Sequence, residues 1–227
     1  SSGLRMEFEW GKETFSGIWG GPPGTAKEVG DLFGNLPARR KFRRSPTAET
    51  SRIQELVGRY AMVFPGIRFR LVVDGKAVFS SPGNGLPRES LLAVYGRQVT
   101  AAMLEVHGED SETGYQVDGF SCAPSLARAN RTYMTFFVNR RWVQSRMLSF
   151  AVEEAYTGLL QVKRYPIAVL NISIPYEDVD VNYHPSKREV RFREESRVFS
   201  TVQRAVRAVL IADSPVPNLS SPSTLNH

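Results

Sequence analysis

Gly21–Lys27 reads Gly-Pro-Pro-Gly-Thr-Ala-Lys, close to the loop with which P-loop nucleotidases wrap phosphate. That loop needs G-x-x-x-x-G-K-[ST], because its glycines turn backbone N–H groups onto phosphate and its hydroxyl holds Mg²⁺. Here Ala26 stands before Lys27, and Glu28 replaces the hydroxyl with a carboxylate that repels phosphate. The motif is a decoy. Metal and nucleophile chemistry find no better footing. His107, His184 and His227 are isolated, and neither CxxC nor HExxH occurs. His184, beside Pro185, reads as a turn residue, and the lone Cys122 reads as a small buried apolar residue. No carboxylate pair stands out as an acid and a base. What remains is positive charge. Lys and Arg number 29 against 23 Asp and Glu, for a net +6, a balance that favours a polyanionic partner. The cations gather as Arg39, Arg40, Lys41, Arg43 and Arg44, and again as Lys187, Arg188, Arg191 and Arg193.

Positioning these groups requires elements that can be read from pattern. Ser45-Pro46 predicts a capped helix start, and Ile53, Leu56, Val57, Tyr60 and Ala61 recur at helical spacing up to Pro65-Gly66. Ile67–Val73 alternates as a strand, and Asp74-Gly75 turns it into Ala77–Ser80 as a hairpin. A short helix over Arg88–Tyr95 follows, then strands near Met103–Val106, Tyr115–Ser121 and Thr135–Val138. The spacing predicts a helix over Met147–Leu160, with Leu148, Ala151, Val152, Ala155 and Leu159 on one stripe. Strands over Ile167–Ile174 and Glu189–Phe192 come next. The last helix, Glu194–Ala212, carries Val198, Val202, Ala205, Val206 and Val209 on its apolar face. It places Arg197, Arg204 and Arg207 on the wet one.

Strands alternating with helices predict an α+β or α/β domain over 45–212. Residues 1–44 contain no amphipathic helix and read as the remnant of an upstream domain, and 213–227 read as a Ser/Pro/Asn linker. The longest uncharged apolar stretch, Tyr165–Tyr176, is 12 residues, too short to cross a bilayer. One cysteine and no signal segment fit a cytoplasmic setting without a membrane partner.

Two longer segments are more specific. Gly24–Phe42 reads GTAKEVGDLFGNLPARRKF and Asp180–Phe192 reads DVNYHPSKREVRF. Together with Arg52–Ser80 and Arg131–Trp142 they resemble the MutL family of mismatch-repair proteins, within the GHKL group of ATPases, over residues 7–212. The resemblance implies an α+β architecture in which a ribosomal S5 domain 2-like transducer follows a partial GHKL ATPase domain. The family's magnesium-binding Asn, catalytic Glu, D-x-G-x-G and G-F-R-G-E-A motifs have no counterpart here, so the chain alone is expected to be inactive as an ATPase. ATP and Mg²⁺ belong to the full-length parent, and this chain alone is expected to hold neither.

The resemblance also implies roles, residue by residue. Thr25 resembles the Thr that lines the adenine pocket. Lys187 resembles the transducer Lys that reaches the γ-phosphate, so that a bound triphosphate biases dimer closure. Arg146 matches a position implicated in DNA contact, with Arg141 and Arg131 as neighbours. The implied contacts go to backbone phosphates of double-stranded DNA and are therefore non-specific and salt-dependent. MutS and a second copy of the parent are the implied protein partners. Tyr183, Ser186, Gly34, Leu36 and Arg140 depart from the family pattern, Arg140 standing where Gly is usual at a possible turn. Arg39 and Arg40 are open between a DNA role and a structural ion pair. The competing readings are a standalone S5-like RNA-binding structural module, which would have no need of the 24–42 motif, and a gyrase B-type transducer, whose Gln-Thr-Lys loop is missing.

Overall fold

A computed structural model describes residues 2–42, 44–181 and 189–213. The chain divides into two units, Ser1–Arg52 and Ile53–His227.

The first unit holds an antiparallel hairpin of β1 (Ser2–Glu9) and β2 (Lys12–Gly20), then a single-turn α1 (Pro37–Lys41). Sequence analysis predicts no strand over this hairpin. Its turn, Trp10-Gly11, has φ of 51° and 85°, the twist that two-residue hairpins require. β1 alternates Leu4, Met6 and Phe8 with Arg5, Glu7 and Glu9, a period-2 pattern present in the sequence itself, although Leu4, Met6, Phe8 and Ile18 remain exposed in the structure. Residues 25–30 adopt no regular structure, and no helix follows the Gly21–Lys27 decoy.

α2 (Pro46–Val63) spans the division between the units. It begins at Ser45, whose Oγ accepts from Ala48 N at 3.4 Å. Its buried positions are Gly58, Ala61 and Met62, while Ile53, Leu56 and Tyr60 are exposed. Periodicity located the helix correctly and its covered face only in part.

The second unit continues with the hairpin β3 (Arg70–Val73) and β4 (Lys76–Ser80), turning at Asp74-Gly75 as expected. α3 (Pro87–Ala101) runs longer than predicted. Gly96, with φ 77° and ψ 173°, breaks it where the sequence reading ended, and a second helical segment continues beyond. Then come β5 (Met103–Asp110), β6 (Tyr115–Cys122), β7 (Met134–Val138), β8 (Arg141–Val143), α4 (Arg146–Ala155), β9 (Ala168–Ser173), β10 (Val179–Asp180), β11 (Arg191–Phe192) and α5 (Glu195–Asp213).

Five strands form one mixed sheet in the order β5-β6-β9-β7-β8, with β7 parallel to β9 and the other neighbours antiparallel. The expected α+β class holds. Alternation splits each strand between two cores. Val117, Phe136, Val138, Leu170 and Ile172 pack with Leu148, Ala151, Val152, Val198 and Val202 of α4 and α5. Phe120, Cys122, Phe137 and Val169 point the other way, toward Met62 of α2 and Leu91 and Val99 of α3. All five residues of β7 are buried, the mark of a strand covered on both faces.

Two glycines set the layer spacing. A Cβ on Gly108 of β5 would lie 2.5 Å from the Cβ of Ala205 on α5. One on Gly119 of β6 would lie 2.1 Å from the carbonyl oxygen of Val169 on β9. Tyr156 ends α4 earlier than predicted, because it turns inward to donate to the carbonyl of Cys122, with Ser121 Oγ at 2.8 Å. Burial, helped by Cys122 and opposed by the Ser121 hydrogen bond, pushes the Tyr156 hydroxyl far above the usual tyrosine range.

Candidate functional site

β7, β8 and α4 carry the cations singled out in the sequence. β7 and β8 join through Asn139-Arg140, both at positive φ (49° and 64°), so Arg140 does occupy a left-handed turn where glycine is the easy residue. The turn is clamped from the neighbouring strand's end. Asn139 Nδ2 donates to Ile174 O and Asn139 Oδ1 accepts from Ile174 N, each at 2.9 Å. Arg140 N donates to Asn171 Oδ1 at 2.9 Å.

Arg146 is the first residue of α4, just after the cap Ser145, whose Oγ accepts from Leu148 N at 3.2 Å. It is exposed and, among the described residues, pairs with no carboxylate. A cation in the first turn of a helix opposes the macrodipole, so Arg146 serves no evident structural need. Arg141 opens β8 opposite Val138, half-buried and likewise without an ion pair among the described residues.

Arg131 is held differently. Its Nε and Nη2 grip Glu153 of α4 at 2.5 and 2.8 Å, and its guanidinium lies 4.8 Å from the Tyr165 ring centre. The hydrogen bond to Glu153 and its charge hold Arg131 above the usual arginine range. A bidentate pair of this kind fixes the side chain in the fold. Two further cations flank this contact in the chain: Arg128, whose backbone bridges to Tyr165, and Lys163, two residues before Tyr165.

The remaining expectations fall as follows. Thr25 lies exposed in the irregular stretch of the first unit. Lys187 lies outside the described residues, as do His184, Tyr183 and Ser186. Arg40 of α1 reaches Asp31 at 3.7 Å, whereas Arg39 is exposed with no ion pair among the described residues. Arg197 and Arg204 reach the buried Asp110 at 3.7 and 3.3 Å, and Arg207 Nη1 donates to the carbonyls of Ala155 and Thr157 at 3.0 and 3.1 Å. They tie α5 to β5 and α4 while Arg204 stays exposed and Arg197 and Arg207 half-buried, so the polar face is both solvated and ion-paired. Burial alone would push Asp110 up. The backbone N–H groups of Glu112 and Thr113 and the two arginines outweigh it and hold the carboxyl below its usual range.

His107 is not isolated, since its Nδ1 lies 2.6 Å from Asp118. Cys122 is buried, its Sγ donating to Leu126 O at 3.2 Å, and burial pushes its thiol up, which suits a structural residue. Among the described residues no cluster of three metal-ligating side chains occurs, and no helix is long and apolar enough to cross a membrane.

Residues 91–211, more than half of the chain and the whole five-stranded sheet with α4 and most of α5, match the family described as DNA mismatch repair protein, C-terminal domain. DNA mismatch repair protein MutL of Heliobacterium modesticaldum is 44% identical over 191 residues, which cover 84% of this chain and 29% of that protein. The chain belongs to the MutL family of DNA mismatch repair proteins. MutL of Desulforudis audaxviator is 41% identical over 217 residues, 96% of this chain and 38% of its own length. The chain thus spans roughly a third of the length of these relatives.

Among solved structures, the N terminal domain of a DNA repair protein superposes with a TM-score of 0.72 at 19% identity, covering 93% of this chain and 68% of that one, which is likeness of fold. The Aquifex aeolicus MutL ATPase domain complexed with ADP gives 0.59 at 25% identity, covering 77% and 62%. These neighbours agree with a transducer preceded by part of a GHKL ATPase domain.

Proposed function

We propose that this chain is the segment of a MutL protein that converts nucleotide occupancy into dimer closure and that contacts the backbone of duplex DNA without reading sequence. The DNA half rests on one observation, the exposed Arg146 at the start of α4, which has no ion pair among the described residues. An arginine there raises no local stability but is well placed to meet an anion, because a helix N-terminus and a guanidinium both favour negative charge. Arg141, and Arg131 if released from Glu153, add to the same positive field. Contacts of this kind go to phosphates, so affinity should fall steeply with salt and vary little with sequence.

The nucleotide half rests on family resemblance and on the ADP bound by the Aquifex aeolicus relative. In this reading Thr25 faces the adenine and Lys187 meets the γ-phosphate only while it is present, giving the triphosphate state a contact that the diphosphate state lacks. ATP, Mg²⁺, MutS and a second copy belong to the whole cytoplasmic protein. Residues 1–44 complete the ATPase domain, 45–212 form the transducer, and 213–227 lead onward. The standalone RNA-binding reading loses its motivation once the relatives match both the 24–42 motif and the transducer.

A labelled duplex titrated with the chain at 50 and 200 mM salt tests the first half. Binding should weaken with salt and be indifferent to scrambling the sequence, and Arg146→Ala should lower the slope of log K against log[salt] by about 0.9. Salt-insensitive binding, or none at 50 mM, refutes it. Lys187→Ala in the whole protein should reduce triphosphate-dependent closure, measured by distance between labels on two copies. Unchanged closure removes the role given to Lys187.

A further inference from the structure

Arg128 and Lys163 lie on two loops that the fold ties together. Arg128 N donates to Tyr165 O at 2.7 Å and Tyr165 N donates back to Arg128 O at 2.8 Å, an isolated antiparallel bridge. Arg164 Nη2 donates to the Ala127 carbonyl at 2.8 Å, which closes the same junction. Two guanidinium planes are backed by tyrosine, Arg128 over Tyr133 at 5.5 Å and Arg131 over Tyr165 at 4.8 Å. The carboxylate of Glu153 is already occupied by Arg131. Among the described residues, neither Arg128 nor Lys163 makes an ion pair. Lys163 is exposed and holds φ at +63°, a left-handed backbone that costs a side-chain-bearing residue about 1–2 kcal/mol. Two free cations on a braced junction, one of them displayed by a strained backbone, are an arrangement that structure alone does not require.

Their placement relative to Arg146 gives the arrangement a partner. Arg146 and Glu153 are seven residues apart on α4, so they share a face and lie about 10 Å apart along the axis. Because Arg131 grips Glu153, the junction sits on the same face of α4 as Arg146. A strand of duplex DNA advances 3.4 Å per phosphate, so about 10 Å corresponds to about three phosphates.

We infer that Arg128 and Lys163 form a second phosphate-contacting point for duplex DNA, about three base pairs along from that of Arg146, with the Arg131–Glu153 pair as the brace that sets the spacing. This rests on the DNA-backbone reading above. It also moves the contact at this end of α4 from Arg131, whose fork is filled, to its two unpaired neighbours.

The test is fluorescence anisotropy of a labelled 20-base-pair duplex with the whole chain, from 50 to 200 mM salt. The double variant Arg128→Ala/Lys163→Ala should lower the slope of log K against log[salt] by about 1.8. The fourfold rise in salt then weakens the parent about twelve-fold more than the variant. Arg128→Lys/Lys163→Arg, which keeps both charges, should restore the slope, as a purely structural role for the arginine would not. An unchanged slope in the double variant, with Arg146→Ala still lowering it by about 0.9, overturns this inference and leaves the DNA reading standing. No binding by the parent at 50 mM overturns both. Retention of poly-glutamate by the parent and its loss in the double variant, with the DNA slope unchanged, reassigns the junction to an acidic protein surface and likewise overturns the inference.

Discussion

Adding a single methyl group at Gly119 and at Gly108 should separate two kinds of close approach. At Gly119 the new Cβ would sit 2.1 Å from a backbone oxygen, Val169 O, and 3.0 Å from Leu170 Cα, in the middle of the β6–β9 pairing. Neither atom belongs to a side chain that can rotate away, so the strands must part. Overpacking a rigid site costs about 1–3 kcal/mol. The backbone at Gly119, φ +148°, adds about 1–2 kcal/mol for an L-residue, bringing the total to about 2–5 kcal/mol. Loss of ladder hydrogen bonds pushes toward the upper end.

At Gly108 the contact is the Ala205 Cβ at 2.5 Å, with Ala205 Cα at 3.3 Å. Here α5 can slide outward by a fraction of an ångström, so the cost should stay near 1–3 kcal/mol. Against a total stability of about 5–15 kcal/mol both are measurable, and Gly119→Ala should be the more severe. Equilibrium urea unfolding followed by circular dichroism gives both values, with unchanged m-values confirming that the folded states remain comparable. If Gly119→Ala costs less than Gly108→Ala, or less than about 1 kcal/mol, the rigid-backbone argument is wrong.

Two further outcomes follow from buried polar groups. Asp110 is held below its ordinary carboxyl range in the folded state, so its contribution is complete above the unfolded value near 4 and is lost as pH falls through the folded one. The urea midpoint should therefore drop on acidification below about pH 4, and Asp110→Asn should flatten that drop while lowering stability at neutral pH. An identical acid limb in the variant would show that other carboxylates dominate. Tyr156→Phe deletes a hydroxyl bonded to the Cys122 carbonyl and Ser121 Oγ while leaving the ring in place, and should cost about 1–3 kcal/mol because both partners stay buried. A thermal midpoint within a degree of the parent would rule that out.

Much of the fold was legible wherever the pattern was local. The stripes of α4 and α5 and the Asp74-Gly75 turn follow from residue order, because burial on one face of a helix repeats with its own period, and β6, β7 and β9 stand out as strands, β7 and β9 by their apolar runs. The misses are places where period and burial part company. The β1–β2 hairpin is the exception, since Leu4, Met6 and Phe8 alternate with Arg5, Glu7 and Glu9 in the sequence itself, whereas three of the five stripe positions of α2 stay exposed. β8 is three residues long and owes its place to a turn clamped by Asn139, a contact with Ile174 thirty-five residues away. α4 stops at Ala155 because Tyr156 finds partners on β6. No window of sequence contains those facts.

The candidate site shows the same limit in charge. Composition counts cations, and helical spacing says which face they occupy, but neither says which carboxylate reaches them. Arg197 and Arg204 share the polar face of α5, yet Asp110 reaches them from the end of β5, 87 and 94 positions back along the chain. Arg131 sits in a motif-like stretch and is taken by Glu153, twenty-two residues on. Arg128 lies three positions before it and stays unpaired among the described residues. A basic residue becomes available to a phosphate through what the fold leaves unneutralised. On that criterion Arg146 at the start of α4, and Arg128 with Lys163 beside the Arg131–Glu153 pair, keep their charge unneutralised among the described residues, while the richer-looking arginine row of α5 is engaged by Asp110 and by the Ala155 and Thr157 carbonyls.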